Sequence, residues 1–134
     1  MFMRTVGSGR TDYPQGVQYD ALNRALQEAH FGTVSKTKTI YSLHDEDGVA
    51  IGICGVVWYA RSCRFTNAFV APEHRGRGGY RVMMEYRIKL ARARGVRTIE
   101  SCCTSMSLPE FLKRGAIPIH YYPRINQTKV RIVL

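Results

Sequence analysis

One stretch constrains the fold of this chain more than any other. An apolar, strand-like run from Phe65 to Val70 is stopped by Pro72. Glu73-His74-Arg75-Gly76-Arg77-Gly78-Gly79-Tyr80 follows and leads into a helical pattern that runs to Arg94. Proline cannot donate to a ladder, so the strand ends there. Glycines at 76, 78 and 79 open backbone conformations closed to other residues. Val82, Met83, Tyr86, Leu90 and Ala93 share one helical face, Arg81, Lys89 and Arg92 lie opposite, and Gly95 supplies the stop. In a strand–glycine loop–helix unit of this kind, backbone N–H groups and the positive end of a helix converge on one point.

Around that unit the chain reads as a single domain, residues 1–134. Tyr19 to His30 has the periodicity of a helix. Thr39 to Leu43 and the Val- and Ile-rich Val49 to Tyr59 read as strands, with Asp47-Gly48 as the turn of a hairpin. Arg61 to Arg64 reads as a basic turn. Val96 to Cys102 is a further strand, Leu108 to Arg114 a short helix closed by Gly115, and residues 116 to 134 hold two short strands broken by Pro123. The order predicts an α/β fold with a mixed sheet of five to seven strands flanked by helices.

Four loop chemistries compete for the glycines. A Walker phosphate loop ends in Gly-Lys-Ser/Thr, and this loop ends in Gly79-Tyr80-Arg81. A Rossmann fingerprint needs a third glycine where Arg81 stands, and only 34 residues follow Glu100, too few for that fold. An RGG nucleic-acid box needs repeats in a disordered tract, whereas this is one copy between a strand and a helix. A pyrophosphate cradle fits: backbone amides face the anion, and Arg75 and Arg77 add charged donors.

Phe69-Val70-Ala71-Pro72-Glu73-His74-Arg75-Gly76-Arg77-Gly78 resembles the signature of the GNAT acetyltransferases, an apolar strand, Val-x-Pro, then Arg/Gln-x-x-Gly-x-Gly/Ala opening a helix. The element order over residues 18–125 is similar as well. The resemblance implies a mixed, mostly antiparallel sheet and acetyl-CoA as co-substrate, with no metal. It implies that the backbone of Ala68, Phe69 and Val70 pairs with the pantetheine arm. The amides of Gly76, Arg77, Gly78, Gly79, Tyr80 and Arg81 would then hold the pyrophosphate. Two positions depart from the pattern: Tyr80 replaces the last small residue, and Gly79 stands where a branched apolar residue is usual.

Acyl transfer to an amine needs a neutral amine, a donor for the oxyanion and an acid for the leaving thiolate. Ile99-Glu100 resembles the glutamate that some family members place on the strand after the long helix. Glu100 is therefore the expected base, with a pKa raised by partial burial. The family's tyrosine before the glycine of the short helix is Phe111 here, so Tyr121 or Tyr122 is expected to serve as the acid, or else water. Thr104 or Ser105 replaces the family's asparagine. Cys102 and Cys103 are not needed by this chemistry, and all four cysteines are expected to be reduced.

The net charge of +10 is uneven. Residues 1–47 carry five basic against six acidic side chains, and residues 48–134 carry fifteen against four. A positive field concentrates anions. The basic residues Arg61, Arg64, Lys113, Arg114, Arg124, Lys129 and Arg131 favour an acidic macromolecule, nucleic acid or an acidic protein, as acceptor. The same field also serves solubility. A second reading keeps the fold as a catalytically weak or inactive module that grips such a partner. The longest apolar run, Val49 to Ala60, is 12 residues, short of a membrane span. The N-terminus has no signal-like stretch, so a cytoplasmic location is expected. A homodimer is compatible with the sequence and not demanded by it.

Overall fold

The computed structural model describes residues 1–8 and 38–134. The helix expected over Tyr19–His30 lies outside the described residues. Seven strands form one sheet: β1 (Phe2–Ser8), β2 (Lys38–His44), β3 (Ala50–Trp58), β4 (Ser62–Val70), β5 (Thr98–Cys103), β6 (Ile117–Tyr122) and β7 (Gln127–Val133). Their order is β1-β2-β3-β4-β5-β7-β6. Every neighbouring pair is antiparallel except β4 with β5. Two α-helices are described, α1 (Gly79–Ala93) and α2 (Leu108–Lys113), with a short 3-10 turn over Pro72–His74. No described helix is long and apolar enough to cross a membrane.

The hairpin expected at Asp47-Gly48 forms around Asp45. Its carboxylate accepts from the N–H groups of Asp47 and Val49, each at 2.9 Å, and Gly48 takes φ +81°. β3 is buried at its first eight residues, as its Val and Ile content foretold, and β2 is buried at all seven. Two strands depart from the sequence reading. β1 was not foreseen: Phe2–Ser8 carries an arginine and a glycine, and its pairing with β2 shifts register between Thr5 and Gly7. β4 begins at Ser62, inside the expected basic turn. The Tyr59 N–H donates to the Ser62 carbonyl at 2.9 Å, which tightens the turn and frees Cys63 and Arg64 to pair with β3.

α1 packs on the sheet, and the buried set is Gly79, Met83, Met84, Arg87, Ile88 and Ala91. The buried face is therefore rotated from the expected stripe. Val82, Tyr86 and Leu90 sit at its border, and Met84, Ile88 and an arginine sit at its centre. Each fully buried apolar side chain here contributes about 1.5–3 kcal/mol. Leu43, Val56, Phe65, Ile99, Phe111 and Val130 complete the same cluster.

Candidate active site

β4 and β5 run side by side only from Ser62 to Arg64, opposite Thr98 to Glu100. From Phe65 onward β4 has no partner on β5, and the two strands open into a gap. At the mouth of that opening the Ser101 hydroxyl donates to the Phe65 carbonyl at 2.9 Å, and the bond is buried. On its other side β4 bulges. Ile53 faces Phe69 and Gly55 faces Thr66, so Cys54 alone stands opposite two residues, Asn67 and Ala68. An extra residue of this kind bends a strand and re-aims its peptide groups.

Beyond the bulge, alternation decides which groups face the gap. The Ala71 N–H donates to the Ile51 carbonyl at 2.8 Å, so Ala71 and Phe69 point their peptide groups at β3. Val70 then points its groups the other way, and Ala68 lies within the bulge itself. The Val70 carbonyl accepts from Arg75 Nε at 2.9 Å, and that guanidinium lies 5.3 Å from the Phe69 ring centroid. Arg75 thus ties the loop to the end of the open strand.

The glycine loop ends at the start of α1. Gly76 and Gly78 take φ +80° and +82°, which favours glycine at both. Gly78 precedes the helix with no side-chain cap, and the first turn holds no acid. The first helical bond, from the Val82 N–H to the Gly78 carbonyl, leaves the amides of Gly79, Tyr80 and Arg81 ahead of it. A Cβ on Gly78 would meet nothing within 4 Å, so the approach is open. A Cβ on Gly79 would stand 2.9 Å from Leu43 Cδ2 and 3.5 Å from Val70 Cγ2. The helix therefore starts pressed against β2 and β4, with Leu43 filling the space of a branched residue. Tyr80 packs against the core instead of reaching into the loop, and burial pushes its phenol pKa up against the pull of Arg87. Its backbone amide remains among those ahead of the first helical bond. Arg75, Arg77 and Arg81 are exposed around it.

The expected catalytic side chains fall elsewhere. Glu100 lies on the paired part of β5, opposite Arg64. Its carboxylate accepts from Arg131 Nη2 at 2.8 Å and Nε at 3.2 Å, and Lys129 Nζ stands at 3.4 Å. The bond from Arg131 lowers its pKa, burial opposes this, and Lys129 lowers it further. The expectation of a raised pKa is therefore overturned: two cations from β7 outweigh a modest desolvation. Tyr121 and Tyr122 lie on edge strand β6, separated from β4 by β7 and β5. The Tyr121 hydroxyl donates to Asn126 Oδ1 at 2.8 Å and the residue is 51% exposed. The structure does not bring this pair to the gap. Phe111 is 2% exposed, and its ring centroid is 6.4 Å from that of Phe65. All four cysteines are free thiols, and burial pushes Cys63 and Cys103 up to about 11.

Arg87 is a buried residue that no sequence motif singles out. It lies in the middle of α1 and is 1% exposed. Its one sequence signal was position, a charge among Met83, Met84, Ile88 and Ala91.

The acetyltransferase (GNAT) family model matches residues 8–110, more than half of the chain. The chain belongs to the GNAT acetyltransferase family. This GNAT chain has no match among curated proteins. Among solved structures it resembles a Klebsiella pneumoniae protein described as an acyl-CoA N-acyltransferase, with TM-score 0.75 and 16% identity over 99% of this chain and 97% of that one. A GNAT family acetyltransferase of Elizabethkingia anophelis with acetyl-CoA bound gives 0.71 and 12%, over 99% and 97%. The paia N-acetyltransferase of Thermoplasma acidophilum, in complex with coenzyme A, gives 0.65 and 10%, over 84% and 69%. At these identities the likeness is one of fold: a mixed α/β architecture on a mostly antiparallel sheet.

Proposed function

We propose that this GNAT chain is an N-acetyltransferase that uses acetyl-CoA. The observation that carries this reading is the opening of β4 away from β5 directly beside the uncapped start of α1. One cleft thus offers unpaired strand backbone for an amide-bearing arm and a cluster of N–H donors for phosphates. The residues fit the ligand. Gly76, Arg77, Gly78, Gly79, Tyr80 and Arg81 supply amides, Arg75 and Arg77 supply charge, and Ala68 and Val70 supply strand backbone. Phe69 turns its peptide groups to β3 instead, so its backbone is not free for that arm, and Arg75 overlies its ring.

In the reaction the amine nitrogen attacks the thioester carbonyl carbon. The C–N bond forms, the C–S bond breaks with its electron pair passing to sulfur, and the amine's proton leaves. The chain's part is to place the reactants side by side and to offer β4 N–H groups to the developing oxyanion. Glu100, doubly paired and with a lowered pKa, is a poor proton acceptor. Phe111 at the tyrosine position has no hydroxyl to give the thiolate, and Tyr121 and Tyr122 lie away from the gap. Water carries both protons in this reading.

The acceptor we propose is an amine on an acidic macromolecule. Lys113 and Arg114 are engaged by Glu110, and Arg114 also by Glu85. Arg61, Arg64 and Arg97 are exposed, and among the described residues they form no ion pair. The Arg97 N–H donates to the Arg61 carbonyl at 2.9 Å, which gathers two of them where β4 and β5 begin. Titration calorimetry with acetyl-CoA, then a search of cell extract for components heavier by one acetyl group, tests the reading. Absence of acetyl-CoA binding rejects it. Binding without transfer supports instead a non-catalytic module, the alternative favoured by the buried Phe111. For a nucleic-acid acceptor, replacing Arg61, Arg64 and Arg97 with alanine should reduce the log–log salt slope by about 2 to 3 units. An unchanged slope removes that acceptor class.

A further inference from the structure

Arg87 is a buried guanidinium with no carboxylate partner among the described residues. Its Nη1 donates to the carbonyls of Gly55 and Thr66, each at 3.2 Å. Its guanidinium carbon lies 4.4 Å from the Phe65 ring centroid, and its Nε is buried without a hydrogen-bond partner. Gly55 and Thr66 face each other across the β3–β4 ladder at the last register position before the bulge. Burying an arginine that lacks an anion is costly. Position 87 lies on the sheet-facing side of α1, where methionine or leucine would pack at no such cost.

The geometry points to Arg87 as a positioning residue for the acyl-transfer step, resting on the acetyltransferase reading above. Gly55 and Thr66 are the last paired residues before the bulge, and one guanidinium donates to the carbonyls of both, bracing the two strands where the extra residue enters. The bulge is thereby held open at Asn67 and Ala68. The peptide groups beyond it stay turned into the gap, where a thioester carbonyl would lie. Phe65 is gripped from two sides, its ring by Arg87 and its carbonyl by Ser101. The helix charge therefore sits beside the strand that must polarise the carbonyl. An oxyanion developing on β4 would meet re-aimed N–H groups backed by a desolvated cation, where electrostatic stabilisation is strongest.

The test needs no acceptor. [1-13C]acetyl-CoA is bound to the parent, to Arg87→Lys and to Arg87→Met, and the carbonyl resonance and the rate of acetyl-CoA hydrolysis are measured. Calorimetry gives each dissociation constant, and circular dichroism checks the fold. The parent is expected to shift the carbonyl resonance downfield. Arg87→Met should return it toward the free value and slow hydrolysis about 10²–10³-fold with affinity within about threefold. Arg87→Lys keeps the charge but not the two-pronged reach, so it should fall between and serve if the methionine variant does not fold. A parent that binds acetyl-CoA with an unshifted carbonyl overturns the inference alone. So does either folded variant with the parent's shift and rate. A parent that binds no acetyl-CoA overturns the acetyltransferase reading itself.

Discussion

The Ser101 hydroxyl donates to the Phe65 carbonyl across 2.9 Å, at the first residue of β4 without a partner on β5. A side chain thus replaces the backbone bond lost where the strands part. Ser101→Ala leaves that carbonyl buried and unsatisfied, which should cost about 1–3 kcal/mol. Urea denaturation checks this. A loss below about 0.5 kcal/mol would mean that water replaces the hydroxyl.

Gly78→Glu should abolish acetyl-CoA binding, because a carboxylate would enter the cradle proposed for the phosphates. Gly78→Ala is the control. Its Cβ meets nothing within 4 Å, but φ is +82°, so it should cost about 1 kcal/mol of stability. Binding by the glutamate variant as tight as the parent's would place the phosphates elsewhere.

Phe111→Tyr restores the family's usual side chain and should not raise the acetylation rate. Phe111 is 2% exposed and faces Phe65, so the new hydroxyl enters an apolar site and should cost about 1–3 kcal/mol. A faster enzyme would show that the hydroxyl finds the thiolate.

Glu100 carries a pH signature with a definite sign. Its folded pKa is lowered, chiefly by Arg131. The ion pair therefore stabilises the fold above the ordinary carboxylate range and is lost as pH falls through the lowered value. Glu100→Gln should remove a part of the acid-induced loss worth about 1 kcal/mol or less, since the cluster is partly solvated. Between pH 6 and 9 the variant should keep the parent's pH–rate profile. A profile that loses its acidic limb would restore Glu100 as the base.

The glycine loop, the long helix and the Asp47-Gly48 hairpin were legible because each is written in a local run of residues. Gly76 and Gly78 do take the positive φ that their spacing implied. Glu100 was misjudged because its partners, Lys129 and Arg131, lie some thirty residues away and meet it only through the β5–β7 register. Arg87 escaped notice because a charge on an amphipathic helix is assigned to the solvent side. Its carbonyl partners lie 32 and 21 residues away, on two different strands. Tyr121 and Tyr122 were placed in the site by type, whereas the swap of β6 and β7 in the sheet order puts them at the rim.

The tight seat of Gly79 on Leu43 and Val70 turns α1 into a ruler. Its first turn cannot lift from β4, and eight residues further along Arg87 grips the same strand. At 1.5 Å per residue the two anchor points stand about 12 Å apart along the helix. The interval between the start of the helix, where the proposal puts the phosphates, and the bulged strand, where it puts the thioester, is set by rigid helix, not by loop. On the proposed acetyl-CoA reading, a thioester would be selected by the length of its carrier arm before its acyl group is read. A side chain at position 79 would move the zero mark of that scale without touching either end of the ligand.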